Sequence, residues 1–64
     1  MIKWTTNTGR RKTLIATGIK GDYKWYITQT ATKMFELHFM EIKLIPMITR
    51  REINDCKRYA EVYI

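Results

Sequence analysis

The sequence predicts an α+β fold, a small four-stranded antiparallel meander, bent and either open or barrel-like, followed by one C-terminal α-helix. Three observations support this fold class. Apolar, aromatic and β-branched residues alternate with polar ones over the first two thirds of the chain. Glycine-containing turn signals separate these stretches, and a helix-start signal precedes the last segment. A chain of 64 residues has room for one domain, residues 1–64, with one small core.

The first two strands are predicted over residues 2–6 and 12–20. Residues 7–9, Asn-Thr-Gly, form a tight-turn signal between them because Asn and Gly accept the positive φ of hairpin turns. Gly18 lies inside the second strand, where glycine usually marks a bulge or a close approach of another group. We therefore expect the sheet to bend near Gly18.

The third strand, residues 23–30, follows a Gly-Asp turn and is the clearest of the four. The fourth is predicted over residues 34–45, where apolar side chains hold odd positions up to Phe39 and even positions from Met40. A shift of one residue turns side chains to the opposite face of a sheet. The sequence therefore predicts a bulge near these two residues, with one long strand shared between two layers as the alternative.

The last segment, residues 50–63, is predicted to be a helix. Thr49 and Glu52 have the spacing of a capping box, and apolar residues on either side of the cap supply a hydrophobic staple. An apolar stripe follows at helical spacing and can pack on the sheet; its members are Ile53, Cys56, Ala60 and Tyr63.

Composition restricts the function more than the motifs do. Twelve Lys and Arg against six Asp and Glu give a formal charge of +6 and a pI near 9.8, which favours nucleic acid, an anionic membrane surface or an acidic protein patch as partner. A solvated, mildly basic surface is the alternative. With no signal-peptide stretch and no apolar run of membrane-spanning length, we expect a cytoplasmic protein without membrane insertion. So small a core also favours a homodimer.

The inventory of reactive side chains predicts a protein that is not an enzyme and uses no cofactor or metal. The chain has no serine, one cysteine and one histidine, which excludes a serine triad and a structural zinc cluster. No glycine-rich phosphate loop is present. Cys56 lies on the apolar helix stripe and is expected in the core. His38 is expected to be an ordinary strand histidine, with a position at the surface or in a partner groove as the alternative.

Two basic clusters are candidate anion sites. The first is at the tip of the first hairpin, where three consecutive cations suit phosphate contact or simply keep the tip soluble; they are Arg10, Arg11 and Lys12. The second is the first helical turn, where the helix dipole disfavours the cations Arg50 and Arg51. Fold stability does not select cations there, so we expect an anion site, extended along the helix by Lys57 and Arg58.

Strand three supplies a candidate stacking platform. Tyr26 and Lys24 lie on the same face of this strand, and an aromatic flanked by cations is how sheet-based modules stack bases. The alternative is that Tyr26 packs beneath the helix.

Two functions remain after these exclusions. The first is sequence-tolerant binding of DNA or RNA by a curved sheet, with the basic residues on phosphates. The composition resembles that of small basic chromatin and single-strand binding domains, although none of their motifs is present.

The second function is that of an inhibitor or adaptor of phage or mobile-element type that docks on an acidic surface of a host protein, for example an anti-CRISPR or anti-restriction protein. Edge-strand pairing is its physical route. An exposed apolar patch beside the basic residues favours the second function. Membrane binding ranks third because acidic residues interrupt the basic helix.

Overall fold

A computed structural model describes residues 1–7 and 13–63. It contains an open antiparallel sheet whose five strands are arranged in chain order, followed by one helix. The elements are β1 Lys3–Thr6, β2 Leu14–Lys20, β3 Tyr23–Gln29, β4 Phe35–Phe39, β5 Ile48–Arg50 and α1 Ile53–Tyr63. The α+β class with a C-terminal helix is confirmed, and the barrel-like alternative is wrong because the sheet is not closed.

The sheet has five strands instead of the predicted four, because the predicted fourth strand, residues 34–45, ends early and a further strand follows it. β4 ends at Phe39, and Met40 then takes a left-handed conformation with φ of 69°, which reverses the chain instead of continuing it as a bulge. The main-chain N–H of Met40 donates to the carbonyl of Lys24 at 2.7 Å. The chain returns at Met47, whose N–H donates to the carbonyl of Leu37 at 2.8 Å, and pairs with β4 as β5. The shift of apolar residues from odd to even positions therefore marks a strand end.

The predicted helix start is also wrong by three residues. Thr49 pairs with Glu36 of β4, so its backbone belongs to the sheet, and α1 begins at Ile53. The two residues with capping-box spacing are Thr49, in the strand, and Glu52, in the bend between β5 and α1. Pairing with β4 holds Thr49 in the sheet, so the helix begins only after the bend at residues 51 and 52.

Gly18 pairs regularly with Trp4 on one side and Trp25 on the other, and the register shift of β2 lies instead between Leu14 and Ala16. A Cβ atom at position 18 would lie 2.7 Å from a side-chain atom of Ile2 and 2.7 Å from one of Trp4. The glycine therefore allows a close approach of β1 side chains to the sheet.

Side-chain alternation gives the sheet two unlike faces. One, here called the helix face, carries the cross-strand rows that contain Trp25 and Leu37 and packs against α1. The core lies between them, and its buried apolar members are Ile2, Ala16, Trp25, Ile27, Leu37, Cys56 and Ala60. The opposite face, here called the outer face, has no helix against it in the described part of the chain. Within residues 1–7 and 13–63, no helix has the length and apolar character that spanning a membrane requires.

Candidate binding surfaces

A groove of about 600 Å³ runs between β1 and α1. We call it the β1–α1 groove. It is lined by Met1, Ile2, Trp4, Asn54, Lys57, Arg58, Glu61 and Val62. Val62, one of these lining residues, is 83% exposed. This groove therefore presents apolar side chains to solvent without a covering element.

Charged side chains hold the groove together and border it. The carboxylate of Glu61 accepts the main-chain N–H of Ile2 at 2.8 Å, which ties the start of β1 to the helix. The ammonium of Lys57 lies 5.7 Å from the centroid of the Trp4 ring, within cation–π range. Arg58 lies 3.9 Å from Asp55, an exposed pair that contributes little to stability. The rim thus carries two cations beside an apolar floor.

The outer face brings together part of the predicted nucleic-acid site. Lys3, Ile19 and Lys24 form one cross-strand row, and the next row places Tyr26 between Thr17 and His38. Tyr26 is half-buried and lies on the face opposite the helix, so packing beneath the helix is wrong. The structure places Lys24 and Tyr26 in successive rows of one open face.

His38 lies in β4 and is buried, with 3% of its surface exposed, so the alternative of a surface or groove position is wrong. The N–H of Lys43 donates to Nδ1 of His38 at 3.1 Å, which requires Nδ1 to be unprotonated and places the ring hydrogen on Nε2. Nε2 then donates to the hydroxyl of Thr28 at 3.2 Å, and that hydroxyl donates to Glu36 at 3.5 Å. We call these three linked bonds the His38 chain.

Burial lowers the pKa of His38 from its ordinary value of 6.5, and the nearby carboxylate of Glu36 opposes this effect without cancelling it. The folded protein therefore favours the neutral form of the His38 imidazole. The imidazole connects the outer face to the segment between β4 and β5, because its Nδ1 acceptor orients the N–H of Lys43.

The two arginines of the predicted anion site do not lie in the first helical turn. Arg50 is the last residue of β5, and its guanidinium donates to the carbonyl of Thr49 at 2.9 Å. Arg51 is exposed in the bend that follows. The helix dipole argument for these residues is therefore wrong, because β5 occupies the positions at which the helix was expected to begin.

The remaining predicted site residues separate into two groups. Lys57 and Arg58 lie on α1, as predicted, and border the β1–α1 groove. The predicted basic hairpin tip, Arg10, Arg11 and Lys12, lies outside the described residues. The predicted set is thus divided among the outer face, the groove rim and the end of β5.

Cys56 is fully buried and donates a weak bond to the carbonyl of Phe35 at 3.6 Å, which confirms its prediction as a core residue. Burial raises the pKa of its thiol, which keeps it protonated. In the described part of the chain, no group of three His, Cys, Asp or Glu side chains is placed to hold a metal ion.

The segment between β4 and β5 exposes a second apolar surface. Leu44 is 98% and Ile45 80% exposed, and a smaller cavity of about 210 Å³ lies beside Phe39 and Tyr63. These two rings lie edge to face, with centroids 5.7 Å apart. The two most exposed apolar side chains of this segment are about as exposed as Met1 and Val62 of the groove, but the cavity beside them is smaller.

Comparison of the chain with protein-family models, with curated proteins and with solved structures finds no match. Both the β1–α1 groove and the outer face combine basic residues with apolar or aromatic ones.

Proposed function

We propose that this chain is a non-enzymatic binding protein that docks on an acidic surface of another protein through the β1–α1 groove. The observation that carries this proposal is the solvent-open apolar groove bordered by Lys57 and Arg58, on a chain with a net charge of +6. An apolar patch beside basic residues is the feature that favours a protein partner over nucleic acid. Contiguous apolar surface on a small protein is often an interaction site.

The groove supplies both components of a protein interface. Its apolar lining, in which Met1 and Val62 are the most exposed side chains, gains free energy when a partner side chain displaces water. Its cationic rim and the positive field of the whole chain steer an acidic partner and align it. Aromatic and arginine side chains are the types most often found at the energetic centres of interfaces, and Trp4 and Arg58 are of these types.

The test compares two charge insertions of the same kind. Val62→Glu places a carboxylate in the wall of the groove, whereas Leu44→Glu makes the matched change on the β4–β5 segment. Both positions are more than four-fifths exposed, so the fold should tolerate either change. Tagged wild-type and variant proteins are used for affinity capture from nuclease-treated cell lysate, and retained proteins are quantified by mass spectrometry.

We expect a protein that the wild type and Leu44→Glu retain equally and that Val62→Glu loses. Loss with Leu44→Glu and retention with Val62→Glu would assign docking to the β4–β5 segment and contradict the proposal. Equal retention by all three proteins would also contradict it. Circular dichroism of each variant verifies that the fold is unchanged.

Nucleic-acid binding is the second candidate function, and the outer face favours it. Tyr26 is half-buried beside Lys24, with Lys3 in the neighbouring row. A base stacked on Tyr26 would lie within reach of cations that contact phosphates. This candidate rests on a different surface from the groove, so the two can be tested separately.

Fluorescence anisotropy of labelled single-stranded and duplex oligonucleotides tests this second candidate. If it holds, affinity falls with salt at a log-log slope near −0.9 per duplex phosphate contacted. Tyr26→Phe keeps the ring and retains affinity, whereas Tyr26→Ala weakens binding by the ~1–3 kcal/mol of one stacked base. Absence of binding at low salt rejects this candidate and leaves the protein-docking proposal intact.

A further inference from the structure

The edges of the sheet differ in what they offer to a partner. β5 has three residues, and the carbonyl of Thr49 on this strand already accepts a bond from Arg50. β1 has four residues, its pairing partner is β2, and no other described strand lies on its second side. An unpaired strand edge offers main-chain donors and acceptors to an added strand. β1 is therefore the edge on which a partner strand can add.

The register shows which groups of β1 point away from the sheet. The N–H of Asn7 donates to the carbonyl of Ile15 at 2.8 Å, so this residue belongs to a hydrogen-bonded pair. Hydrogen-bonded and non-hydrogen-bonded pairs alternate along an antiparallel ladder, which places the N–H and C=O of Trp4 and Thr6 on the free edge. Ile2 agrees with this alternation, because its N–H points away from β2 and donates to Glu61.

The β1–α1 groove lies directly beside this free edge, since Ile2 and Trp4 belong to both. Side chains of an added strand alternate between the two faces of the sheet. Those on the helix side enter the apolar groove toward Val62, and those on the other side lie next to Lys3. A partner segment that fits therefore alternates apolar and acidic residues.

Charge decides between an acidic partner and a second copy of this chain. Lys57 and Arg58 border the groove and Lys3 lies on the outer face of β1, whereas the one carboxylate among the described residues that line the groove, Glu61, accepts the N–H of Ile2. Cations therefore outnumber carboxylates beside this edge. Two copies paired through β1 would bring two chains of +6 together, with their lysines and arginines at one interface. Like charges held close oppose association, whereas carboxylates gain from the same positions.

We propose that β1 accepts an extended acidic segment of another protein as an additional antiparallel or parallel strand, with its apolar side chains in the β1–α1 groove. The inference rests on the proposed function and specifies the partner chemistry at the same site. Main-chain bonds to Trp4 and Thr6 provide affinity that does not depend on sequence, and the groove and the cations select alternating apolar and acidic residues.

The probe is an acetylated and amidated peptide of about nine residues in which Glu alternates with Leu. One control peptide has Lys in place of Glu, and another has the same composition with the Glu residues grouped at one end. Binding is measured by isothermal calorimetry and by amide hydrogen exchange followed by NMR. We expect the alternating acidic peptide alone to bind, and to slow exchange at the amides of Trp4 and Thr6.

Variants at one position separate strand addition from contact with the groove alone. Thr6→Pro removes the outward N–H of the edge strand, a position where proline is tolerated, and Thr6→Val is its matched control that keeps the N–H. We expect Thr6→Pro to weaken peptide binding about tenfold and Thr6→Val to leave it unchanged. Charge reversal, Lys57→Glu with Arg58→Glu, should weaken binding by about the same factor and serves as the second test if Thr6→Pro does not fold.

Different results would contradict the docking proposal and the strand-addition proposal. If lysate capture depends on Val62 but no peptide slows exchange at Trp4 and Thr6, the docking function stands and strand addition is wrong. If the peptide binds Thr6→Pro as tightly as wild type, strand addition is also wrong. Sedimentation that shows a dimer, lost in Thr6→Pro, would assign the edge to a second copy and overturn the acidic partner.

Discussion

The two faces of the sheet hold their buried residues by different means. On the helix face the fully buried side chains are apolar, with Trp25, Ile27 and Leu37 at 0% exposure. On the outer face the buried side chains are polar: Thr28 is 7% and His38 3% exposed, and the two are hydrogen-bonded to each other. The helix face is therefore sensitive to changes in side-chain volume, and the outer face is sensitive to protonation of His38.

This difference follows from the physics of each kind of contact. Apolar burial has no direction and contributes ~25 cal/mol per Å², but it fails when side chains no longer fit. Each bond of the His38 chain requires a donor to face an acceptor, and one additional proton on the imidazole reverses the required direction. The same sheet can thus be perturbed independently from each side.

The larger expected effect is on the helix face, at Gly18. A Cβ atom there meets side-chain atoms of Ile2 and Trp4 at 2.7 Å, and both belong to the wall of the β1–α1 groove. Gly18→Ala should lower the free energy of unfolding by ~1–3 kcal/mol, the usual cost of overpacking. Urea denaturation followed by far-UV circular dichroism measures the change.

Gly21→Ala is the control for this prediction. Gly21 has a φ of +60°, and an added Cβ meets no heavy atom within 4 Å, so its cost is limited to the conformational penalty of ~1–2 kcal/mol. Gly18→Ala should also displace β1 and change the fluorescence of Trp4, whereas Gly21→Ala should not. Equal fluorescence in the two variants would show that β1 does not rest on Gly18.

The sequence predicts the first three strands and the fold class because alternation and turn residues are local signals. It does not predict β5, since three residues, Ile48–Arg50, are too few to show alternation and follow a proline. Thr49 and Glu52 have the spacing of a helix cap, but pairing of Thr49 with Glu36 of β4 competes with it and prevails. Strand pairing over sequence distance is a tertiary effect that local patterns do not contain.

The candidate site is predicted only in part for a similar reason. Charge and alternation in the sequence predict four of the binding residues on these two surfaces. The structure places Lys57 and Arg58 on the groove, and it places Lys24 and Tyr26 on the outer face. The apolar lining of the groove is missed. Val62 lies off the apolar stripe of the helix, which is a usable signal, but no pattern in the sequence shows that β1 is an edge strand.

The smaller expected effect is on the outer face and depends on pH. Because the pKa of His38 is lowered in the fold, the unfolded chain binds a proton at a higher pH than the folded one does. The stability from neutral His38 is therefore complete above its ordinary pKa of 6.5 and is lost as pH falls toward the lowered pKa. Urea denaturation at several pH values between about 8 and 5 should show this decline.

His38→Gln provides the comparison that isolates this effect. Glutamine offers one acceptor and one donor in place of Nδ1 and Nε2–H, and it does not titrate. Carboxylates such as Glu36 titrate in both proteins, so the difference between the two pH profiles belongs to the imidazole. We expect the wild type to lose more stability than His38→Gln on acidification. The N–H of Lys43 should also lose protection, relative to its intrinsic exchange rate, as its acceptor is protonated. Parallel profiles would show that protonation of His38 does not change the free energy of unfolding. The two faces of the sheet would then differ only in how their side chains pack.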